Sequence, residues 1–360
     1  MLRTLRNLTV NIIAAFIRDR DSRHKFRNKY KIKSKFRKLR DDNRRLFKEN
    51  EKLLTAIITL QNRITDIEKF IYVNRITPLT YKDSTYQFSL PNVYLSIACI
   101  AKNEGPYIKE WIEYHKIVGV ERFYFYDNES NDNTKEVLEP YIKDGTVVYK
   151  YVRGKAMQAK ANKDAIYHSR LETFWLALID LDEYIVPTEQ DTVSDVLKRF
   201  ERYPGLVVKW VSFDCNGHDS RPTANGGLIT ANYTRVPKDY NCVFNAHFKS
   251  IVRPGAVIDI RGAHHALYGG NRHAVNENFI EIPTGKETDP TGSVNKIRLN
   301  HYFSKSKEEY LQKMQRGYMV PHPNQQYKID NPKVDFKIET TQDFVIQRYL
   351  PRLKEAMGVI

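Results

Sequence analysis

The chain is poor in the residues that staple small secreted folds. It has only three cysteines, Cys99, Cys215 and Cys242, an odd number with no metal-ligand spacing, which excludes a disulfide framework and leads us to expect a reducing compartment. With 16 Gly and 15 Pro in 360 residues the composition is not collagen-like, and no glycine-rich phosphate loop of the P-loop type occurs. The apolar stretch of residues 7–17 is too short for a spanning helix, which needs about 20 residues, and no small-residue cleavage site follows Ile17, which argues against a secretory signal. What is present, 41% apolar and 12% aromatic residues, is enough to bury a core. The length fits one large domain or two, with an appendage.

Charge is unevenly spread. Residues 1–45 carry sixteen Lys and Arg against four Asp and Glu, so +12 of the formal +15 lies in this segment. A basic arm binds nucleic acid or an anionic membrane surface, or is simply a solvated tail. Here residues 7–17 supply an amphipathic helix for the interface, and the Lys/Arg cluster from Arg23 to Lys38 faces acidic headgroups, each charge worth about 1 kcal/mol. Residues 1–38 therefore read as a membrane-surface arm, placing the protein on the cytoplasmic, inner face of a membrane.

A heptad seam follows over residues 39–77. Leu39, Leu46, Leu53, Leu60 and Ile67 recur every seven residues, with Asn43, Asn50, Ile57, Ile64 and Ile71 four residues after each. Leu at d with Ile and Asn at a is the pattern of a parallel two-stranded coil, so a homodimer is expected. A long amphipathic helix packed on its own domain is the alternative, since Ile58 and Phe70 widen the stripe. The run ends at Thr77-Pro78, and residues 78–92 form a linker.

From residue 93 the period changes. The apolar run ending at Ala101 reads as a parallel strand buried on both faces. A helix over Ile108 to Val118 comes next, then a strand at Arg122 to Tyr126, a turn-rich segment, a helix to about Lys143 and a strand over 146–152. This alternation is the doubly wound α/β signature, whose ligands sit beyond the carboxyl ends of the strands, here Lys102-Asn103-Glu104, Asp127-Asn128 and Arg153-Gly154. A helix over about 156–171 leads to an apolar strand, 174–179, that ends in Asp180-Leu-Asp182-Glu183. Residues i and i+2 of a strand face the same way, so Asp180 and Asp182 are expected to aim at one point beyond the strand end and to suit Mg or Mn with open positions for phosphate. Alone, Asp-x-Asp is usually a surface turn or a helix start; the surrounding strand ends give it weight.

Ile97-Ala-Cys-Ile-Ala-Lys-Asn-Glu104, Glu110-Trp-Ile-Glu-Tyr-His115, Tyr126-Asp-Asn-Glu-Ser-Asn-Asp132 and Ala177-Leu-Ile-Asp-Leu-Asp-Glu-Tyr184 together resemble the family 2-like and family 92 glycosyltransferases. Lys209-Trp-Val-Ser-Phe213 with Asn216-Gly-His218, Phe248-Lys-Ser-Ile-Val-Arg253 and Asn300-His-Tyr-Phe-Ser-Lys-Ser306 with Lys313 and Arg316-Gly317 extend the likeness to about Tyr318. The resemblance implies a GT-A (Rossmann-like) domain over residues 93–320, followed by a C-terminal extension, 321–360, with a closing helix. It also implies inverting transfer of a sugar, often galactosyl, from a UDP-sugar. On the matching positions, Lys102, Asn103, Glu104 and Asp127, with Asn128 beside it, line the nucleoside pocket. Asp180 and Asp182 hold a divalent metal (Mn2+ or Mg2+) and the diphosphate. His301 or His265 is the expected third metal ligand, and Lys305 or Arg316 the expected diphosphate contact.

An inverting transfer needs a base for the acceptor hydroxyl. The turn-forming segment after Phe213 offers Asp214, His218 and Asp219, although Asp214 stands where relatives commonly have a small residue and equally suits an Asx turn. Glu183 adjoins the metal pair as a supporting group. The acceptor is expected to be a saccharide or a lipid-linked one, in surface polysaccharide or glycolipid synthesis. The competing reading is an inactive membrane- or nucleic-acid-binding coiled-coil scaffold. Against it, the coil lacks interleaved aromatics for base stacking and the carboxylate pair is retained, so no nucleic-acid partner is expected.

Overall fold

The structure is a computed structural model. It describes residues 91–261, 264–270, 272–283, 287–315 and 334–359, together with scattered positions between 20 and 59. The chain divides into two compact units, Met1–Ile64 and Thr65–Ile360. In the first, the described residues are helical, and Leu53 and Ile57 of the heptad seam are 62% and 48% exposed. Most of the basic arm and of the heptad seam, including Leu39, Leu46, Leu60, Ile64, Ile67 and Ile71, and Thr77-Pro78 lie outside the described residues. No helix among the described residues is long and apolar enough to cross a membrane.

The second unit begins with β1 (Val93–Ala101), α1 (Gly105–Ile117), β2 (Arg122–Asp127), α2 (Thr134–Lys143), β3 (Val147–Tyr151), α3 (Gln158–Ser169) and β4 (Thr173–Leu178). These strands pair in parallel, β1 with β2 and β4, and β2 with β3. Successive β1 residues face opposite ways. Ile97 and Cys99 pack with Ile108, Trp111 and Ile112 of α1, whereas Ala98 and Ile100 pack with Ala161, Ala165 and Ile166 of α3. Burial on both faces explains the near-continuous apolar run. At the entry to α1 the backbone passes so close to Asn133 that a Cβ on Gly105 would collide with its side chain.

Beyond β4 the topology departs from a simple doubly wound sheet. β5 (Glu183–Pro187) and α4 (Val193–Leu197) follow, then β6 (Gly205–Ser212), β7 (Arg235–Pro237), β8 (Phe248–Val252), β9 (Val257–Arg261), β10 (His265–Tyr268), β11 (Ala274–Val275), β12 (Glu281–Ile282) and β13 (Ile297–His301). Among the described residues the main sheet has ten strands in the order β12-β11-β6-β8-β4-β1-β2-β3, with β13 bridging β5 and β6. β8 runs antiparallel to both β4 and β6. The chain closes with α5 (Lys307–Gln315), β14 (Thr340–Gln342), a 3-10 turn over Val345–Tyr349 and α6 (Leu350–Met357). Pro351 lies in the first turn of α6, where its missing N–H costs nothing, so it starts this helix, and the expected closing helix is preceded by a separate 3-10 turn.

Several family-like residues in α1 have structural duties. Trp111 donates its indole N–H to the Glu183 carbonyl (2.8 Å), and Tyr114 its hydroxyl to that of Ile185 (3.0 Å). His115 donates from Nδ1 to the Trp111 carbonyl and accepts the Ile185 N–H at Nε2 (3.2 Å). Burial lowers its pKa to about 3, so it is neutral. Glu110 accepts from the Ile229 and Thr230 N–H groups and from the Thr230 hydroxyl. Trp111, Tyr114 and His115 thus fix β5 directly behind the Asp-rich turn.

Candidate active site

Three loops at the carboxyl edge of the parallel strands build the first part of the site. After β1, Asn103 takes a left-handed backbone (φ 54°), its N–H donating to Ser130 Oγ (2.9 Å) while its side-chain oxygen accepts the Asn131 N–H (2.8 Å). After β2, Asp127 accepts from the Ser130 N–H (2.9 Å) and the Tyr149 hydroxyl (2.8 Å). Asn128 donates to the Gly154 carbonyl (3.0 Å). The structure therefore brings Asn103, Asp127 and Asn128 together in one stitched rim, with Lys102 and Glu104 on the same loop as Asn103. Glu104 is buried and pairs with Lys305 (3.1 Å), whose ammonium also lies 4.0 Å from the Tyr107 ring centroid. Arg316 lies outside the described residues.

Asp180 and Asp182 are not on a strand. β4 ends at Leu178, and residues 179–182 form a turn closed by the Glu183 N–H on the Asp180 carbonyl (3.1 Å). The expected alternation of strand side chains does not apply, and the two carboxylates go to different cations. Asp180 accepts from Gln158 (2.7 Å) and Lys249 (2.7 Å); Asp182 accepts from Lys313 (2.5 Å). Lys249 is itself buried and lies 3.6 Å from Glu183. Burial opposes ionisation of Asp182, but Lys313, with His301 and Lys305, holds its carboxyl well below the usual range. Burial, with the negative charges of Asp180 and Asp182, pushes Glu183 the other way despite Lys249.

His301 ends β13, with Nε2 3.8 Å from Asp182 Oδ1, and burial lowers its pKa to about 4, which leaves it neutral with a lone pair for a metal. His265 is elsewhere. Its buried ring packs near Phe248 and feels His273, not the carboxylates. The neighbouring residue, His264, is the one that feels Lys249 and Asp180. Among the described residues no three His, Cys, Asp or Glu side chains converge as a ready metal cage. Asp182 and His301 supply an open carboxylate–imidazole pair, and phosphate oxygens and water would complete the shell of a hard cation.

The three base candidates part company. Asp214 is buried, takes Arg235 Nε at both carboxylate oxygens (2.8 and 2.9 Å), and accepts the Asn216 and Phe336 N–H groups. That is an Asx turn clamped by an arginine, with two protein donors on each carboxylate oxygen. His218 and Asp219 sit on a loop whose carbonyls accept the Lys307 and Glu308 N–H groups at the start of α5, the helix that carries Lys313. Asp219 is exposed, and His218 Nε2 lies 3.3 Å from the Asn232 carbonyl.

Lys249 and Gln158 escaped the sequence reading as site residues, and Lys313 entered it only as part of a motif. For Lys249 a signal existed. A lysine inside Phe248-Lys-Ser-Ile-Val252, an apolar strand, must find a counter-charge when buried. Gln158 on the first turn of α3 has no such signature.

A mixed α/β sheet with a cluster of carboxylates and lysines at its parallel-strand ends defines a GT-A-like fold. The chain belongs to glycosyltransferase family 92, whose family model matches residues 93–327. A family 92 protein of Oryza sativa subsp. japonica is 28% identical over 167 residues, covering 45% of this chain and 27% of the relative. One from Arabidopsis thaliana is 30% identical over 168 residues, covering 44% and 28%. The Arabidopsis galactan beta-1,4-galactosyltransferase GALS3 is 26% identical over 112 residues, covering 28% and 22%. The chain thus spans about a quarter of the length of these curated relatives. Staphylococcus aureus TarS 1-349 in complex with UDP-GlcNAc aligns with a TM-score of 0.31 at 16% identity, over 45% of this chain and 46% of that one.

Proposed function

We propose that this chain is a metal-dependent, inverting glycosyltransferase that moves a hexose, galactose in the first instance, from a UDP-sugar to a saccharide or lipid-linked acceptor. The observation that carries this reading is the Asp180–Asp182 turn, set between the Asn103/Asp127 rim and three lysines, in a chain of family 92. The galactosyl donor is favoured by the similarity to a galactan galactosyltransferase.

The chemistry follows from charge. Loss of the UDP leaving group builds negative charge on the diphosphate, and Lys305 and Lys313 lie where fixed ammonium groups stabilise it. Asp182 and His301, with Asp180, would hold a Mn2+ or Mg2+ ion, which when bound adds Lewis-acid neutralisation of the same phosphates. Glu104, Asn103, Asp127 and Asn128 offer acceptors and donors to a nucleoside. His218 or Asp219 takes the acceptor proton; Asp214 keeps their loop in place.

The test is UDP binding by thermal shift with and without manganese. A ligand at 100 times its Kd adds about 2.7 kcal/mol of stability. A manganese-dependent shift with UDP, and loss of transfer with retained fold in Asp182→Ala, is the expected outcome. No shift with any nucleoside diphosphate, or full manganese-dependent turnover in Asp182→Ala, overturns the reading.

We further propose that residues 1–38 hold the enzyme on the inner, anionic face of a membrane and that residues 39–77 pair two chains. The basic excess supports the first, and the heptad seam with exposed Leu53 and Ile57 supports the second. Removing residues 1–35 should weaken sedimentation with phosphatidylserine vesicles, and Leu53→Asp with Ile57→Asp should halve the mass by light scattering. Unchanged vesicle binding, or unchanged mass, refutes the respective part.

A further inference from the structure

The chain has three tryptophans, and two of them, Trp111 and Trp175, are wholly buried. Trp210, on β6, is partly exposed, and its indole N–H has no acceptor among the described residues. Three imidazoles surround it: His301 with ring centroids 4.3 Å away, His247 at 5.3 Å and His264 at 5.4 Å. His301 also approaches Asp182, at 3.8 Å, so the cluster continues directly from the carboxylate turn.

Strand order gives the cluster its direction. The rim residues follow β1 and β2, the Asp180–Asp182 turn follows β4, and β6 lies on the far side of β4, beyond β8. A nucleoside at the rim with its phosphates at the turn therefore points its next chemical group toward β6. In a UDP-sugar that group is the hexose, and an acceptor must meet the hexose at its anomeric carbon.

A pyranose has an apolar C–H face and a hydroxyl edge. The first suits an indole ring face, and the second suits neutral imidazoles, which both donate and accept. His264 donates from Nδ1 to the Phe248 carbonyl (2.8 Å) and His247 from Nδ1 to the Glu287 carbonyl (3.2 Å), which leaves an Nε2 lone pair on each as a hydroxyl acceptor. Burial lowers His264 to about 4.

We infer that Trp210, flanked by His247 and His264, is the platform on which a pyranose ring of the transfer reaction stacks. The inference rests on the glycosyltransferase reading and adds to it the subsite for the sugar. The ring belongs either to the donor or to the acceptor, and the test separates the two.

Because Trp111 and Trp175 are sealed in the core, a change in intrinsic fluorescence on adding ligand reports mainly Trp210. The full chain is titrated with UDP, with UDP-galactose and with a β-1,4-linked galacto-oligosaccharide in the presence of UDP, and Trp210→Ala and Trp210→Phe are compared with it by calorimetry. Losing about 60 Å² of apolar contact corresponds to about a tenfold weaker Kd. UDP affinity should stay unchanged in both variants. The affinity for UDP-galactose (donor ring) or for the oligosaccharide (acceptor ring) should fall about tenfold in Trp210→Ala and partly recover in Trp210→Phe. Equal affinities for all three ligands in wild type and variants overturn the inference, as does an equal fall for UDP itself, which would make Trp210 a nucleobase contact. If the wild-type chain binds no UDP, the glycosyltransferase reading fails with it. The phenylalanine variant keeps an aromatic ring in place, so a folding defect in Trp210→Ala leaves the test decidable.

Discussion

Replacing Lys249 by methionine leaves a buried carboxylate without its cation, and the cost can be worked out. The ammonium lies 2.7 Å from Asp180 and 3.6 Å from Glu183, and the three side chains are 2%, 33% and 0% exposed. At an effective dielectric constant of about 20, the gross attractions are roughly 6 and 5 kcal/mol, offset by the desolvation of the ions. Asp180 keeps Gln158 and reaches water, so most of the uncompensated charge falls on Glu183, whose Oε1 has no hydrogen-bond partner among the described residues. Breaking one side of such a pair costs about 3–5 kcal/mol. Glu183 escapes part of this by taking a proton. Its folded pKa is raised, so stability is retained at low pH and lost as pH rises; the deficit of Lys249→Met should be larger at pH 8 than at pH 6. Urea denaturation followed by circular dichroism at both pH values reads the effect. Adding Glu183→Gln should restore at least half of the loss. A single-variant loss under about 1 kcal/mol, or a double variant no better than the single, refutes this account of Lys249.

Other perturbations separate structure from chemistry. Asp343 takes both guanidinium nitrogens of Arg298 (2.7 and 2.6 Å) in the core and ties the C-terminal segment to β13. Burial opposes the Asp343 charge, but Arg298 outweighs it and lowers the pKa, so Asp343→Ala should cost about 3–5 kcal/mol in urea denaturation at pH 7. The wild-type contribution should be present above the ordinary carboxylate range and be lost as pH falls below about 4; a flat difference between wild type and variant from pH 7 to 3 contradicts it. Asp214→Ala should behave as a stability variant: about 2–4 kcal/mol lower by the same assay, with the UDP thermal shift retained. Loss of transfer at full stability, with the UDP shift kept, would restore Asp214 to the chemistry. Thr192 caps α4 by accepting the Asp195 N–H (3.1 Å), so Thr192→Ala should cost about 1 kcal/mol, and no change in melting temperature would mean the cap adds nothing.

What the sequence disclosed and what it withheld divide along physical lines. The parallel half of the sheet was readable because a strand buried on both faces is apolar at nearly every position, as from Tyr94 to Ala101 with Ser96 the exception, and because Asn and Asp cluster where strands give way to turns. The antiparallel half was not, because β8 joins the sheet between β4 and β6 although about seventy residues separate it from β4, a pairing no local pattern encodes. The same limit governs the site. Asp180 and Asp182 announce themselves by composition, but their cations arrive from β8 and α5, and only the fold decides that Lys249 and Lys313 meet them. Asp214 invited a base assignment for the converse reason: its clamp, Arg235, is twenty-one residues away in sequence yet 2.8 Å away in space. A carboxylate next to a turn looks catalytic until its counter-ion is found. By that criterion Asp182 stays poised, since its Oδ1 faces His301 across 3.8 Å while only its Oδ2 is held by a lysine. One oxygen fixed by an ammonium and the other turned to a neutral imidazole is an arrangement that can accept a cation without first breaking the ion pair that orients it.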